Sequence, residues 1–140
     1  MIQFTIQGNP IAQKRHRTAG RNGHRYDPSK QDKEDFRVVM QQYAPKELLS
    51  GPLQIDIVWF FARPKSHFGS GRNAEKLKPS APLVWHTKKP DRDNLDKFIL
   101  DAMTGKFFKD DSIVCFGTLA KKWATGKQPG EVRVEVYEMM

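Results

Sequence analysis

Six aspartates fall between positions 91 and 111: Asp91, Asp93, Asp96, Asp101, Asp110 and Asp111. Only Arg92, Lys97, Lys106 and Lys109 oppose them there, a local charge of −2 inside a chain whose net charge is +8. Gathered carboxylates repel phosphate unless a metal cation sits between them, so an acidic island in a basic protein points to a bound cation. Asp91 and Asp93 lie two residues apart in an extended or capping segment, which lets both carboxylates face one side. A helix over 93–103 carries the chain about 15 Å from its start. The seven residues 104–110 can stretch roughly 23 Å, enough to bring Asp111 back beside the first two acids. Three hard oxygen donors without His or Cys suit Mg²⁺ or Mn²⁺ rather than zinc. Such ions polarise phosphates, generate hydroxide and stabilise a leaving oxygen, so a nuclease is the leading reading. The plainer alternative stays open, because acids at a helix start also cap it and complement its dipole.

Two further side chains border this group. Lys97 lies one turn after Asp93, where it can form an i,i+4 ion pair with Asp93 or Asp101 or contact a scissile phosphate; both readings stand. His86 precedes the acids and reads as a solvated loop histidine.

The positive charge is segregated. Gln13 to Arg25 holds five Lys or Arg and no acid, and Arg63 to Lys89 holds seven against Glu75 alone. This favours a polyanionic partner, and Lys14, Arg15, Arg17, Lys88 and Lys89 are the candidate phosphate contacts. Hydrophobic residues at 38% and charged residues at 29% describe a globular chain rather than a disordered one. The longest uncharged apolar run, Ile57 to Ala62, is too short to span a membrane, and the first ten residues lack a signal-peptide core. Cys115 is the sole cysteine. It excludes an internal disulfide, reads as a small buried hydrophobe and suits the reducing cytoplasm.

The elements that must position these residues follow from periodicity. Ile2, Phe4 and Ile6 alternate with polar residues as a strand ended by Gly8-Asn9-Pro10. Residues 11–26 read as a basic loop. Asp27 and Pro28, or Ser29, open a helix whose apolar face is Phe36, Val39, Met40 and Tyr43, closed by Pro45. Leu53, Ile55, Ile57, Trp59 and Phe61 alternate in a second strand. Val58, Phe60 and Ala62 thicken its other face, which predicts a central strand covered on both sides. Residues 63–88 read as a mobile basic flap. With Asp93 as its cap, Leu95, Phe98, Ile99, Ala102 and Met103 mark a second helix stopped by Gly105. Ile113 to Trp123 reads as a third strand and Val132 to Tyr137 as a fourth, joined as a hairpin through Lys127 to Gly130. The expected fold is one small α/β domain over 1–140, with a mixed sheet and two main helices in the order β-α-β-α-β-β.

Three segments carry a resemblance. They are His86 through Pro90, Asp91, Asp93, Asn94 and Leu95 to Lys97; Asp101-Ala102-Met103 with Gly105; and Asp110-Asp111 leading to Val114. Together they resemble the RusA-type Holliday junction resolvases, whose pattern is D-x-D-N-L-x-K, D-A-L/M-x-G and a D-D pair before a Val-containing strand. Gly8-Asn9-Pro10, the loop with Lys14, Arg15 and Arg17, and Lys121-Lys122-Trp123 match more weakly. The resemblance implies a homodimer, often of phage or prophage origin, that resolves four-way DNA junctions by paired symmetric nicks with Mg²⁺. It implies metal ligation by Asp91, Asp93 and Asp111, with Asp110 a weaker candidate, and an essential Lys97. Arg92 and the long 63–88 segment depart from the family pattern. A nuclease for flaps or forks, and a non-catalytic nucleic-acid-binding protein, are the competing readings.

Overall fold

A computed structural model describes residues 1–19 and 23–140. Its centre is β4 (Leu53–Phe61), where every odd-numbered residue is buried and every even one half-buried. β7 (Glu131–Glu138) runs antiparallel to β4 from Leu53↔Glu138 to Phe60↔Glu131, and β1 (Ile2–Gln7) runs antiparallel to β7 at the sheet edge. On its other side β4 pairs in parallel with β5 (Val114–Phe116) and then β6 (Leu119–Trp123). The result is a mixed five-stranded sheet with two main helices, α1 (Lys30–Met40) and α2 (Arg92–Met103).

The helices share one core with the odd face of β4. α2 buries Leu95, Phe98, Ile99, Ala102 and Met103, the five positions expected from its period. Met40 from α1, Phe4 and Ile6 from β1, and Val132, Val134 and Val136 from β7 complete that core with Phe107 and Phe108. Full burial of such side chains stabilises by about 1.5–3 kcal/mol each, which makes this layer the main source of stability. Phe36 and Phe98 meet edge to face at 5.8 Å across the helix pair. The other face of β4 differs from expectation. It is half-open, because Gln54, Asp56, Val58 and Phe60 are not covered by a second helical layer.

Three other expectations are corrected. The third strand is broken at Gly117 and Thr118. A Cβ at Gly117 would lie 1.9 Å from the Ile55 carbonyl oxygen, and the Asp56 carboxylate accepts the Thr118 N–H at 2.9 Å to fill the gap. The predicted hairpin to the fourth strand is absent, since β6 and β7 lie on opposite sides of β4. Their connection, residues 124–130, exceeds the roughly two to five residues of a hairpin loop and lets each strand pair with the apolar centre instead. Within the basic loop, β2 (Arg17–Ala19) and β3 (His24–Tyr26) form a separate exposed antiparallel ribbon. Alternation could not reveal it, because neither face is apolar. Residues 20–22, including Arg21, lie outside the described residues.

Local assignments shift as well. Ser29, the alternative to Asp27, precedes α1, while Asp91 rather than Asp93 precedes α2, and neither side chain makes a capping hydrogen bond. Cys115 is exposed rather than buried, on the short strand β5. His86 is buried rather than solvated. No helix is long and apolar enough to cross a membrane.

Candidate active site

Asp91 holds an extended backbone (φ −69°, ψ 148°) at the N-terminus of α2, and Asp93 falls in the first helical turn. The four leading N–H groups of a helix lack intrahelical partners and carry partial positive charge, which favours anionic groups here. Both carboxylates are exposed and line one cleft of about 540 Å³ together with Asn94 and Lys97. Lys97 makes no ion pair within 4.0 Å among the described residues, so neither Asp93 nor Asp101 occupies it.

The opposite wall is Gln13, Lys14, Arg15, His16 and Arg25. It is held by an array that sequence reasoning missed. The Gln13 N–H donates to the Asn94 carbonyl at 3.0 Å, and its side-chain amide donates to Asp27 at 2.8 Å. The Lys14 N–H donates to the Ser29 hydroxyl at 2.9 Å. Lys33, buried in α1, donates to Asp27 at 2.7 Å and to Asp101 of α2 at 3.2 Å. Desolvation pushes the Asp27 carboxyl up. The hydrogen bonds from Lys33, the Ser29 N–H and Gln13, with the Lys33 charge, outweigh it and bring the pKa to about 2. Arg37 completes the clamp by donating to the Asp101 and Ala102 carbonyls at 2.8 and 2.9 Å. The only sequence signal was Lys33 lying three and seven residues before Phe36 and Met40 on the apolar face. Its partner Asp101 is 68 positions away.

Asp111 opens a short 3-10 turn, Asp111–Ile113, preceded by Asp110, whose carboxylate accepts the Ser112 N–H at 3.1 Å. It does not line the Asp91–Asp93 cleft. Desolvation, the adjacent Asp110 carboxyl and the Asp101 charge all raise its pKa. Desolvation and then the Asp111 charge raise Asp96, partly offset by Arg92. Asp91 and Asp93 thus share the cleft, while Asp96, Asp101 and Asp110 couple electrostatically to Asp111 outside its lining. Among the described residues no three His, Cys, Asp or Glu side chains converge closely enough to hold one ion.

The family model for endodeoxyribonuclease RusA matches residues 7–137. The chain belongs to the RusA endodeoxyribonuclease family. It is also 36% identical over 139 residues to the uncharacterized protein YqaN of Bacillus subtilis (strain 168), covering 96% of this chain and 93% of that protein. The RusA match spans both walls of the cleft, from the basic segment to the acids of α2 and on through β7.

Of the candidate residues in this RusA domain, the fold brings Asp91, Asp93, Lys97, Lys14 and Arg15 to one cleft. Lys89 lines an adjoining hollow with Arg15, Asp91 and Asn94. Arg17 stands on β2 and Lys88 is exposed nearby in sequence, while Asp110 and Asp111 lie outside the cleft lining. Arg25 and His16 join the basic wall without having been singled out beforehand. Arg25 joins through the β2–β3 pairing, which brings residue 25 beside residue 18, and His16 immediately precedes β2.

Proposed function

We propose that this protein is a Mg²⁺-dependent endodeoxyribonuclease that resolves four-way DNA junctions by paired nicks. The observation that carries this reading is one cleft with Asp91, Asp93 and Lys97 on one wall and Lys14, Arg15 and Arg25 on the other. Basic side chains hold phosphates, and the two carboxylates supply hard oxygens at the same place. This donor set suits Mg²⁺, which keeps several waters and commonly takes one or two carboxylates together with substrate phosphate oxygens. Asp91 and Asp93 would hold the ion; Asp111, which lies outside this cleft, is assigned as the third acid on the family resemblance alone, with Asp110 a weaker one. When bound, the ion supplies a polarised phosphate and a hydroxide nucleophile at neutral pH, and Mn²⁺ would serve in its place.

The remaining roles belong to the chain itself. Lys97, without an ion-pair partner among the described residues, contacts the scissile phosphate and balances charge developing there. Lys14, Arg15, Arg17, Lys88 and Lys89 grip flanking phosphates, with Arg25 added by the ribbon. The Lys33 array fixes the spacing between the two walls. Homodimerisation follows from substrate symmetry, because two equivalent strands need two equivalent sites. A DNA substrate and a single cysteine favour a cytoplasmic setting.

The test is a cleavage panel of mobile four-way junctions, Y-forks, flaps, single strands and duplex, each with and without Mg²⁺. Paired symmetric nicks in the junction, present only with the metal, are expected. Equal cutting of forks and junctions would redirect the reading to a general branched-DNA nuclease. Binding without cleavage of any substrate would leave a non-catalytic binding protein.

A further inference from the structure

Residues 84–86 bridge to the sheet edge beside β6, with Trp85 opposite Lys122. The Trp123 N–H donates to the Val84 carbonyl at 2.7 Å and the His86 N–H to the Lys121 carbonyl at 3.1 Å. Arg63, just past β4, donates to the Pro82 and Leu83 carbonyls and to that of Ala124. Successive side chains of an extended segment point to opposite sides. His86 turns inward, where its ring stacks on Phe61 at 4.0 Å and tilts against Trp123 at 4.3 Å. His67 closes the cluster edge-on against Trp123 at 4.6 Å. Trp85 is correspondingly turned outward and is 61% exposed, although the backbone on either side of it is pinned.

The surroundings of Trp85 narrow what could cover it. The Lys122 ammonium lies 5.3 Å from the centre of its ring. Lys88 and Lys89 follow on the same segment, and the Lys121 ammonium donates to the Lys88 carbonyl. Protein interfaces deplete charged residues from their centres. A rigid aromatic face framed by cations is instead the combination that takes a nucleotide, with the base stacked on the ring and phosphates on the ammonium groups. Asp91 lies six positions after Trp85, a span of at most about 20 Å, so such a base would lie within a few nucleotides of the cleft.

We propose that Trp85 is a stacking platform that holds an unpaired base of the DNA substrate beside the Asp91–Asp93 cleft. This rests on the junction-nuclease reading above and assigns the 63–88 segment a part in recognising the branch point. Pinning by Arg63 and the buried His86 keeps the ring in place before DNA arrives, so little ordering is needed on binding.

Two measurements test it. In the first, a four-way junction carrying 2-aminopurine at the branch point is titrated in Ca²⁺. Wild type should change the 2-aminopurine emission; Trp85→Ala should abolish that change and weaken junction affinity about tenfold. Trp85→Phe should retain most of both, and duplex affinity should move less than twofold in either variant. In the second, oligothymidylate is titrated while acrylamide quenches intrinsic emission. Trp59 and Trp123 are buried, so the accessible signal comes from Trp85, and the oligonucleotide should shield it. A wild-type 2-aminopurine response in Trp85→Ala, with cleavage of junctions intact, overturns this proposal and leaves the nuclease reading standing. An unchanged DNA response with lost self-association on sedimentation overturns it in favour of a second copy of the chain. If wild type shows no junction preference the nuclease reading fails, and absence of acrylamide shielding by oligothymidylate then overturns the stacking role independently.

Discussion

The ammonium of Lys33 on α1 lies 3.2 Å from the carboxylate of Asp101 on α2 and 2.7 Å from that of Asp27. One buried cation therefore ties the two helices together and, through Asp27, holds Gln13 at the edge of the cleft. Lys33→Ala leaves two partly exposed carboxylates without their cation. It should cost about 1–2 kcal/mol in urea unfolding, between the scale of an exposed pair and that of a fully buried one. A loss below about 0.5 kcal/mol would show the pair to be an ordinary surface contact.

Acid stability should depend on Asp27. Its folded pKa, about 2, lies below the ordinary 3.8, so the carboxylate contributes stability above pH 4 that disappears as pH falls from about 4 to about 2. Asp27→Asn should be less stable at neutral pH yet lose less on acidification across that window. The difference in slope should approach one proton, about 1.4 kcal/mol per pH unit. Parallel acid limbs for the two proteins, followed by circular dichroism, would place the acid sensitivity elsewhere.

The carboxylates of α2 should separate by role. Asp91→Asn and Asp93→Asn should abolish Mg²⁺-dependent junction cleavage while leaving junction binding in Ca²⁺ near wild type, because the phosphate grip comes from the basic wall. Asp111→Asn should also abolish cleavage if DNA or the ion draws it toward the cleft. Wild-type turnover in Asp111→Asn would confine the metal to the pair at the helix start. Isothermal titration with Mn²⁺ gives a reading independent of cleavage, with weakened binding expected for each variant of the pair.

Lys97 makes no ion pair among the described residues, so its replacement should have little effect on folding. Lys97→Ala should change stability by less than about 0.5 kcal/mol but slow single-turnover cleavage by roughly 100-fold, the scale for removing one preorganised electrostatic group. Lys97→Arg keeps the charge and replaces a compact ammonium by a broad planar fork, so it should bind junctions and cleave poorly. Near-normal single-turnover rates in both variants would leave the chemistry to the aspartates.

Local patterning alone determined the buried stripe of α2, the alternation of β4 and the approach of Asp91 to Asp93. Each depends on residues within a few positions of one another, where helix and strand periods fix which side chains share a face. Lys97 one turn beyond them was legible for the same reason, as was the segregation of basic segments from acids. Only the tertiary structure decided which strand takes β7, because β4 can satisfy neighbours on both sides and nothing local to residues 124–130 selects the partner. It also decided that His86 is a core ring while Trp85 beside it is exposed: the alternation there is set by pairing to β6, not by an apolar pattern. Lys33 became a structural cation because folding brings Asp101 to it across 68 positions. Asp111 shows the same limit from the other side. The length of residues 104–110 permitted it to reach Asp91 and Asp93, but chain length bounds a distance without choosing a position within that bound. The packing of Phe107 and Phe108 into the core fixes the path that residue 111 continues, and sets it beside Asp110 with the charge of Asp101 acting on it and its own charge acting on Asp96.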